Sequence, residues 1–403
     1  MIMLENNQNN QTTFSHGATA ISNGTRQSAQ CVKDPVVIVG GGIAGLALAR
    51  ALQGNGIPYQ LVERRTENAD SGLAFNLPGN AIAALSMLGL REQIEAVGRP
   101  IGKRQYRTAS DKLLFEIDED TFWGTALRPR SVRRSDLLSM LETGLPDSLI
   151  HHDASVQSIV LQSNRPEVRM QNGTTLGASL VVGADGVRST VRRDMFGSVT
   201  GESQALLAQA SWRFMAPNPG IDGWTVWAGA DGMVLLMPVG DDEVYGWAAA
   251  TSPKITDSSP RAFVSIANHF PTRVRKAILY ATDHPEGLYH SPLEEVRLER
   301  WHREHAVLIG DAAHATAPVW AEGVALGLED AIVLGRLLAG DSDIATALRE
   351  FETLRRARVT HVQTQTDAMS RAARLPALLR NFILPFVGPK KYRQTYGPLR
   401  DPV

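Results

Sequence analysis

One hexapeptide limits what this chain can become more than any other stretch: Gly40-Gly41-Gly42-Ile43-Ala44-Gly45. It follows a β-branched run, Val36-Val37-Ile38-Val39, which reads as a short strand buried in a parallel sheet. A helix is predicted over residues 43–52, and a second strand, Tyr59-Gln60-Leu61-Val62, ends at Glu63. Together they make a strand–helix–strand unit of about 30 residues. Gly40 permits the tight turn out of the strand, Gly42 leaves room for a pyrophosphate at the backbone, and Gly45 lets helix and sheet pack closely. The helix start offers free N–H groups and a positive dipole end to phosphates. Glu63 is placed to accept hydrogen bonds from ribose hydroxyls. An acid there suits FAD or NAD and repels the extra phosphate of NADP.

Two further motifs share that context. Leu180-Val181-Val182 reads as a buried strand leading into Gly183-Ala184-Asp185-Gly186-Val187-Arg188, and Val307-Leu308-Ile309 as another leading into Gly310-Asp311-Ala312-Ala313-His314. Both motifs therefore fall at the carboxyl ends of strands, where open α/β sheets bind ligands. Asp311 ends its strand where a carboxylate can hold the hydroxyls of a ribityl chain. Gly323 starts a helix, predicted over residues 324–338, whose positive end faces developing negative charge. His314 is read as a residue that orients the loop by hydrogen bonds.

Between these motifs the texture changes. Residues 212–250 are rich in tryptophan and alternating apolar positions, with turn signals at Asp222-Gly223, Asp231-Gly232 and Gly240-Asp241, as in an antiparallel sheet. The expected organisation is α/β: a Rossmann-like nucleotide-binding domain with an inserted β-sheet substrate domain and a C-terminal helical segment. The nucleotide-binding body takes residues 34–105, 128–205 and 297–365. The sheet domain takes an excursion at 106–127 and the main insert at 206–296. A disordered tail is expected at 1–33, being polar and aperiodic, and a helical tail at 366–403.

The three motifs, in this order and spacing, resemble the single-component flavoprotein aromatic hydroxylases of the p-hydroxybenzoate hydroxylase type, over roughly residues 35–386. Asn80, Arg134 and Trp212-Arg213 are similar to the salicylate, urate and alkylquinolone hydroxylase-like branch. The resemblance implies a fold of that type with one non-covalent FAD. Gly40, Gly42, Gly45 and Glu63 would hold its ADP half, Arg134 its phosphate or ribityl region, and Gly310-Asp311 the ribityl hydroxyls. Asp185 and Gly186 would serve FAD and the passing electron donor, NADH or NADPH. Pro318, Trp320 and Gly323 would border the flavin ring. The implied reaction is hydroxylation or epoxidation of an aromatic or heteroaromatic molecule by O2 through a flavin C4a-hydroperoxide. One departure is local: where many members have Gly-Gln-Gly and a later Asn, this chain has Ala321-Glu322-Gly323 and Ala325.

Trp212, Trp227, Met237, Pro238 and Trp247 are the candidates for the substrate pocket, with Arg213 either a ligand for a carboxylate or phenolate or a surface charge. Between residues 212 and 250, Arg213 is the only basic residue, which disfavours a polyanionic substrate. The competing readings are an FAD-dependent dehydrogenase or reductase without oxygenation and, more remotely, a non-catalytic nucleotide-binding protein. Trp224-Thr225-Val226-Trp227 lacks the spacing and proline of a halogenase element. A formal net charge of -1 gives no basis for nucleic-acid binding. A single cysteine, Cys31, fits a reducing compartment, and with no secretory signal or membrane span the expected location is cytoplasmic. Residues 375–386, followed by Lys390-Lys391, mix apolar and basic groups; they are expected to pack across the body rather than touch a membrane. No metal is expected, and the chain would act as a monomer or homodimer.

Overall fold

Val36–Val39 has no polar side chain and is buried along its whole length, so it can sit only where both faces of a sheet are covered. It forms the centre of a six-stranded sheet. Tyr59–Val62 and Ile150–His151 lie on one side of it, and Leu180–Gly183, Ala306–Leu308 and His302–Arg303 on the other. All neighbours are parallel except the His302–Arg303 edge. The chain leaves the central strand for Tyr59–Val62 and returns on the opposite side with Leu180–Gly183, in register Val36 to Leu180 and Val39 to Gly183. That reversal opens a crevice at the carboxyl end of Val39, where Gly40 begins. This computed structural model describes residues 34–66, 73–161, 165–197, 201–205, 207, 210–252, 255, 259–290 and 293–403; the tail expected at 1–33 lies outside them.

The helix Ile43–Gly54 packs on the helix Gly323–Leu338 through small residues. A Cβ on Gly327 would lie 3.2 Å from the Ala44 Cβ, and one on Gly335 would lie 2.7 Å from the Ala51 Cβ. Both helices thereby bring their N-terminal ends to the crevice.

A second sheet has seven strands, in the order Tyr289–His290, Ser211–Pro217, Glu243–Ala250, Gly232–Val239, Trp224–Ala228, Lys103–Thr108 and Leu113–Asp118. It is antiparallel apart from the pairing of Trp224–Ala228 with Lys103–Thr108. The helices Pro260–Ala267 and Thr272–Asp283 contribute Phe263, Ile266, Val274 and Ile278 to a core shared with Trp212, Phe214, Trp227 and Val234 of this sheet. Other side chains of the sheet, Trp247, Ala249 and Leu235 among them, cluster instead with Ala317, Val319 and Ala373.

The C-terminal region is two helices, Ile344–Ala373 and Ala377–Tyr396. The second is pinned by a buried polar cluster. Arg104 Nε donates to Glu119 Oε1 at 2.9 Å, and the Tyr392 hydroxyl donates to the same carboxylate. Trp123 Nε1 donates to the Tyr392 hydroxyl at 3.1 Å, and the Tyr396 hydroxyl donates to the Trp320 carbonyl. The Arg104 guanidinium also lies 4.3 Å from the centre of the Trp224 ring. Among the described residues, no helix is long and apolar enough to cross a membrane.

Candidate active site

At the crevice, sequence and geometry agree on why glycine is needed. Gly40 has φ +110°, and a Cβ there would lie 2.5 Å from the Ala184 carbonyl oxygen. A Cβ on Gly45 would lie 1.9 Å from the Gly40 carbonyl oxygen. Gly42 differs: nothing lies within 4 Å of its Cβ position, so the backbone there faces open space. It is the N-cap of Ile43–Gly54, with no capping side chain and no acid in the first turn. An uncapped helix start beside open space is a cradle for an anionic group.

Glu63 borders this cradle. Its Oε2 accepts the Gly41 N–H at 2.7 Å, and its Oε1 accepts Arg65 N at 2.9 Å and Arg65 Nε at 3.0 Å. Burial alone would raise its pKa, but these donors and the Arg65 charge together hold it below the usual carboxylate range. It is therefore ionised, and its Oε2, which accepts only the Gly41 N–H, keeps a lone pair for a hydroxyl donor. Arg134 stands half-buried at the start of the helix Arg134–Glu142, its N–H donating to the Leu73 carbonyl at 2.7 Å.

Asp185 turns inward. Its carboxylate accepts Ser189 Oγ at 2.5 Å, Thr190 N at 2.7 Å and Val191 N at 3.2 Å, and Ser189 Oγ in turn accepts Arg192 N at 2.9 Å. What the structure gives Asp185 is a capping role: it holds the helix Thr190–Phe196 and shapes the loop at Gly186, whose φ is +80°.

Asp311 faces the cleft from the opposite wall. Its side chain opens to the solvent of the cleft, while protein on every other side raises its pKa against the opposing charges of His314 and Arg213. A Cβ on Gly323 would lie 3.7 Å from Asp311 Oδ1, so the carboxylate and the start of the helix Gly323–Leu338 share one edge. Gly310, with φ +58°, fits against Ala44 from the facing helix. Its N–H donates to Asp330 Oδ2 at 2.8 Å, and that oxygen also pairs with His314 Nε2 at 2.7 Å. Arg355 Nε donates to Asp330 Oδ1 at 2.7 Å. Burial opposes the charge on Asp330, but His314 and Arg355 outweigh it and bring its pKa down to about 2. His314 thus positions the loop through Asp330.

A second polar group lies beneath the loop that carries Ala321, which has φ +58°. Asn80 Nδ2 donates to Glu322 Oε2 at 2.9 Å and to Glu329 Oε1 at 3.0 Å. Glu329 is paired with Arg355 at 2.8 Å and Arg358 at 2.8 Å. Two arginines against Asp330 and Glu329 leave Glu322 as the odd carboxyl, buried with its Oε1 lacking a hydrogen-bond partner. Burial pushes its pKa up to about 8, Asn80 opposing and the neighbouring Glu329 charge adding to the rise. Burial thus favours the protonated form of Glu322 over the ionised one.

Between the second sheet and this loop lies an apolar cavity of about 690 Å³, counting space open to solvent. Tyr106, Trp224, Val226, Met233, Leu235 and Trp247 line it from the sheet, Pro318 and Val319 from the loop, and Met369 and Leu384 from the C-terminal helices. Of the sequence candidates, Trp247 and Pro318 are at the cavity and Arg213 stands near Asp311. The structure puts Trp212 and Trp227 in the opposite core. Trp212 stacks on Phe263 at 5.3 Å, and Trp227 Nε1 donates to Asp111 Oδ1 at 2.7 Å. Met237 packs beside Ala74 and Ile101, and the Pro238 carbonyl accepts from Ser131 Oγ, so both join the sheet to its neighbours rather than line the cavity. Trp320 lies edge-on to Tyr396 at 5.7 Å and borders an outer cleft between the two C-terminal helices. Sequence reasoning did not single out Tyr106, Met233 or Leu235 as pocket residues; the alternation of Met233 and Leu235 with Val234 was the signal for the last two.

Comparison with known proteins agrees with this geometry. A family model described as FAD binding domain matches residues 33–366. The chain is 30% identical over 344 residues to 2-heptyl-3-hydroxy-4(1H)-quinolone synthase of Pseudomonas aeruginosa strain UCBPP-PA14, covering 83% of this chain and 88% of that protein. It is 28% identical to 3-amino-4-hydroxybenzoate 2-monooxygenase PtnB3 of Streptomyces platensis, covering 85% and 89%. The fold is similar to Klebsiella pneumoniae HpxO complexed with FAD and uric acid, with a TM-score of 0.74, 22% identity and coverage of 91% and 92%. The uncapped glycine cradle, the Asp311 cleft and these relatives together show that the chain belongs to the FAD-binding-domain family of flavoprotein monooxygenases.

Proposed function

We propose that this FAD-dependent monooxygenase takes electrons from NADH or NADPH and hydroxylates an apolar aromatic or heteroaromatic molecule held in the cavity beside Pro318. The observation that carries the reading is the cavity's chemistry. Its walls are aromatic and aliphatic, and it abuts the loop between Asp311 and Gly323. When bound, FAD supplies the redox and oxygen chemistry. The chain's own residues bind, orient and exclude water. Gly40, Gly42 and Gly45 let the pyrophosphate approach the helix start, and Glu63 takes the ribose hydroxyls. Asp311 and the Gly323 helix would meet the ribityl chain and the ring, and Arg134 would reach the phosphate or ribityl region. Asp185 and Gly186 hold the neighbouring loop in shape. Trp224, Trp247, Met233 and Leu235 keep the reacting edge dry, which protects a reactive oxygen species from water. We place the protein in the cytoplasm, where reduced nicotinamide donors are at hand.

The test is a panel of aromatic and heteroaromatic compounds, with NAD(P)H oxidation, O2 uptake and product mass followed together. The expected result is substrate-stimulated oxidation with one oxygen atom added to the product. Stimulated NAD(P)H oxidation that consumes no O2 would replace this reading with a reductase.

A further inference from the structure

The helix Ala377–Tyr396 has two unlike faces. One is anchored: Arg380, Gly388, Tyr392 and Tyr396 are buried, and a Cβ on Gly388 would meet the Phe115 ring at 2.3 Å. The other is apolar and open. Leu378 is 89% exposed, Phe382 74% and Phe386 69%, and the two phenylalanine rings lie 6.3 Å apart. Residues 378, 382 and 386 are spaced four apart, so they form one stripe along the helix. A contiguous patch of large apolar groups on a protein surface marks a contact site.

Charge says what kind of contact. No acidic residue lies between Asp367 and Asp401, while Arg371, Arg374, Lys390, Lys391, Arg393 and Arg400 lie there outside the buried Arg380. The whole chain, by contrast, carries a formal charge of -1. A two-fold contact with a second copy would set this basic patch against its own image, which like-charge repulsion opposes. An apolar helix face flanked by basic side chains fits the headgroup and acyl boundary of an anionic bilayer.

The same helix walls a cleft of about 510 Å³, counting space open to solvent, lined by Leu375, Ile383, Leu384, Val387 and Trp320. Met369, Ala372, Arg380 and Leu384 border both this cleft and the inner cavity. These four side chains form the shared wall between the cleft beside the exposed stripe and the inner pocket.

We propose that the outer face of Ala377–Tyr396 docks on an anionic lipid surface and that the apolar substrate enters from the bilayer through the adjoining cleft. This revises the expectation that the segment stays clear of membranes. The docking rests on the exposed face alone; the entry route rests on the hydroxylase reading above.

The experiment is flotation of the FAD-loaded protein with vesicles of pure phosphatidylcholine or of equimolar phosphatidylglycerol and phosphatidylcholine. The protein is expected to float with the anionic vesicles only, and less so at high salt. Phe382→Ser/Phe386→Ser should weaken partitioning on the order of a hundredfold, since two aromatic rings leave the boundary. Arg371→Gln/Arg374→Gln should weaken the preference for anionic lipid, leaving part of it to Lys390, Lys391, Arg393 and Arg400. Both variants should retain FAD and the wild-type circular dichroism, because the changed side chains are exposed. No flotation of the wild type, or unchanged flotation of the phenylalanine variant, overturns the proposal. So does a homodimer in sedimentation velocity that the phenylalanine variant splits, which would assign the face to a second copy. Failure to float leaves the hydroxylase reading intact, and failure to oxygenate any aromatic leaves the vesicle result intact.

Discussion

Replacing Glu322 by Gln tests the charge balance beneath the candidate flavin loop. The folded protein holds the Glu322 proton up to a pKa of about 8, whereas an unburied glutamate releases it near the ordinary value of 4.5. Between those values the native state binds more protons than the unfolded chain, so stability falls as pH rises. The penalty is absent below the unfolded pKa and complete above the folded one. Each pKa unit corresponds to about 1.4 kcal/mol, so the full window is worth on the order of 5 kcal/mol. Glutamine has the same shape, keeps an oxygen for Asn80 Nδ2 and does not titrate. The Glu322→Gln variant should therefore track the wild type at about pH 5 and exceed it increasingly toward about pH 8 to 9. Urea denaturation of both proteins across that range measures the difference directly. A difference that does not change with pH would refute the argument, because it would mean that Glu322 is ionised in the folded state or that a cation absent from this arrangement neutralises it. The same result would undo the functional corollary. A neutral Glu322 leaves the positive end of the Gly323 helix uncompensated, free to face negative charge on a bound group.

Three further outcomes follow from the site. Asp311→Ala should weaken FAD retention roughly 30- to 150-fold, the value of hydrogen bonds to one charged acceptor, read by equilibrium dialysis; unchanged retention would put Asp311 outside the site. Heat or acid should release free FAD into the supernatant, since the site proposed here makes no covalent link; flavin remaining on the precipitate counts against it. Trp227→Ala should cost about 3–5 kcal/mol in denaturant unfolding while leaving the order of preferred aromatic substrates unchanged, because the ring lies in the helix-covered core. A reordered preference would place it at the cavity after all.

The nucleotide-binding half was legible because its constraints are local. Val36–Val39, the glycine turn and the strand Tyr59–Val62 fall where pattern and turn chemistry put them, since a β-branched run between glycines has few alternatives. The cavity was not legible to the same degree, and the reason is physical. Alternation along a strand tells which residues share a face, and a polar face normally tells which side meets solvent. Here both faces of the seven-stranded sheet are buried, one under Pro260–Ala267 and Thr272–Asp283, the other against the loop at Pro318 and the C-terminal helices. Trp224 and Trp227 are then equally apolar and equally buried, and nothing local distinguishes the one at the cavity from the one in the core.

Long-range polar pairing was hidden for a different reason. Arg104 looks like any charged residue on a strand until Glu119 and the Tyr396 hydroxyl reach it from elsewhere in the chain, with the Tyr392 hydroxyl donating to the same carboxylate. Its burial is tolerable only because the charge is matched by a carboxylate and covered by the rings of Trp224, Tyr392 and Tyr396. That dependence ties the C-terminal helix to the sheet that forms the cavity. Removing one partner leaves the other charge buried without compensation, a change that is strongly destabilising. The anchored face of Ala377–Tyr396 is thus held by a requirement of the core, which fixes the orientation of the opposite face and turns Leu378, Phe382 and Phe386 outward. The exposed stripe is a consequence of how the helix is pinned, and it cannot be hidden by rolling the helix without pulling the Tyr392 hydroxyl from Glu119 and the Tyr396 hydroxyl from Arg104.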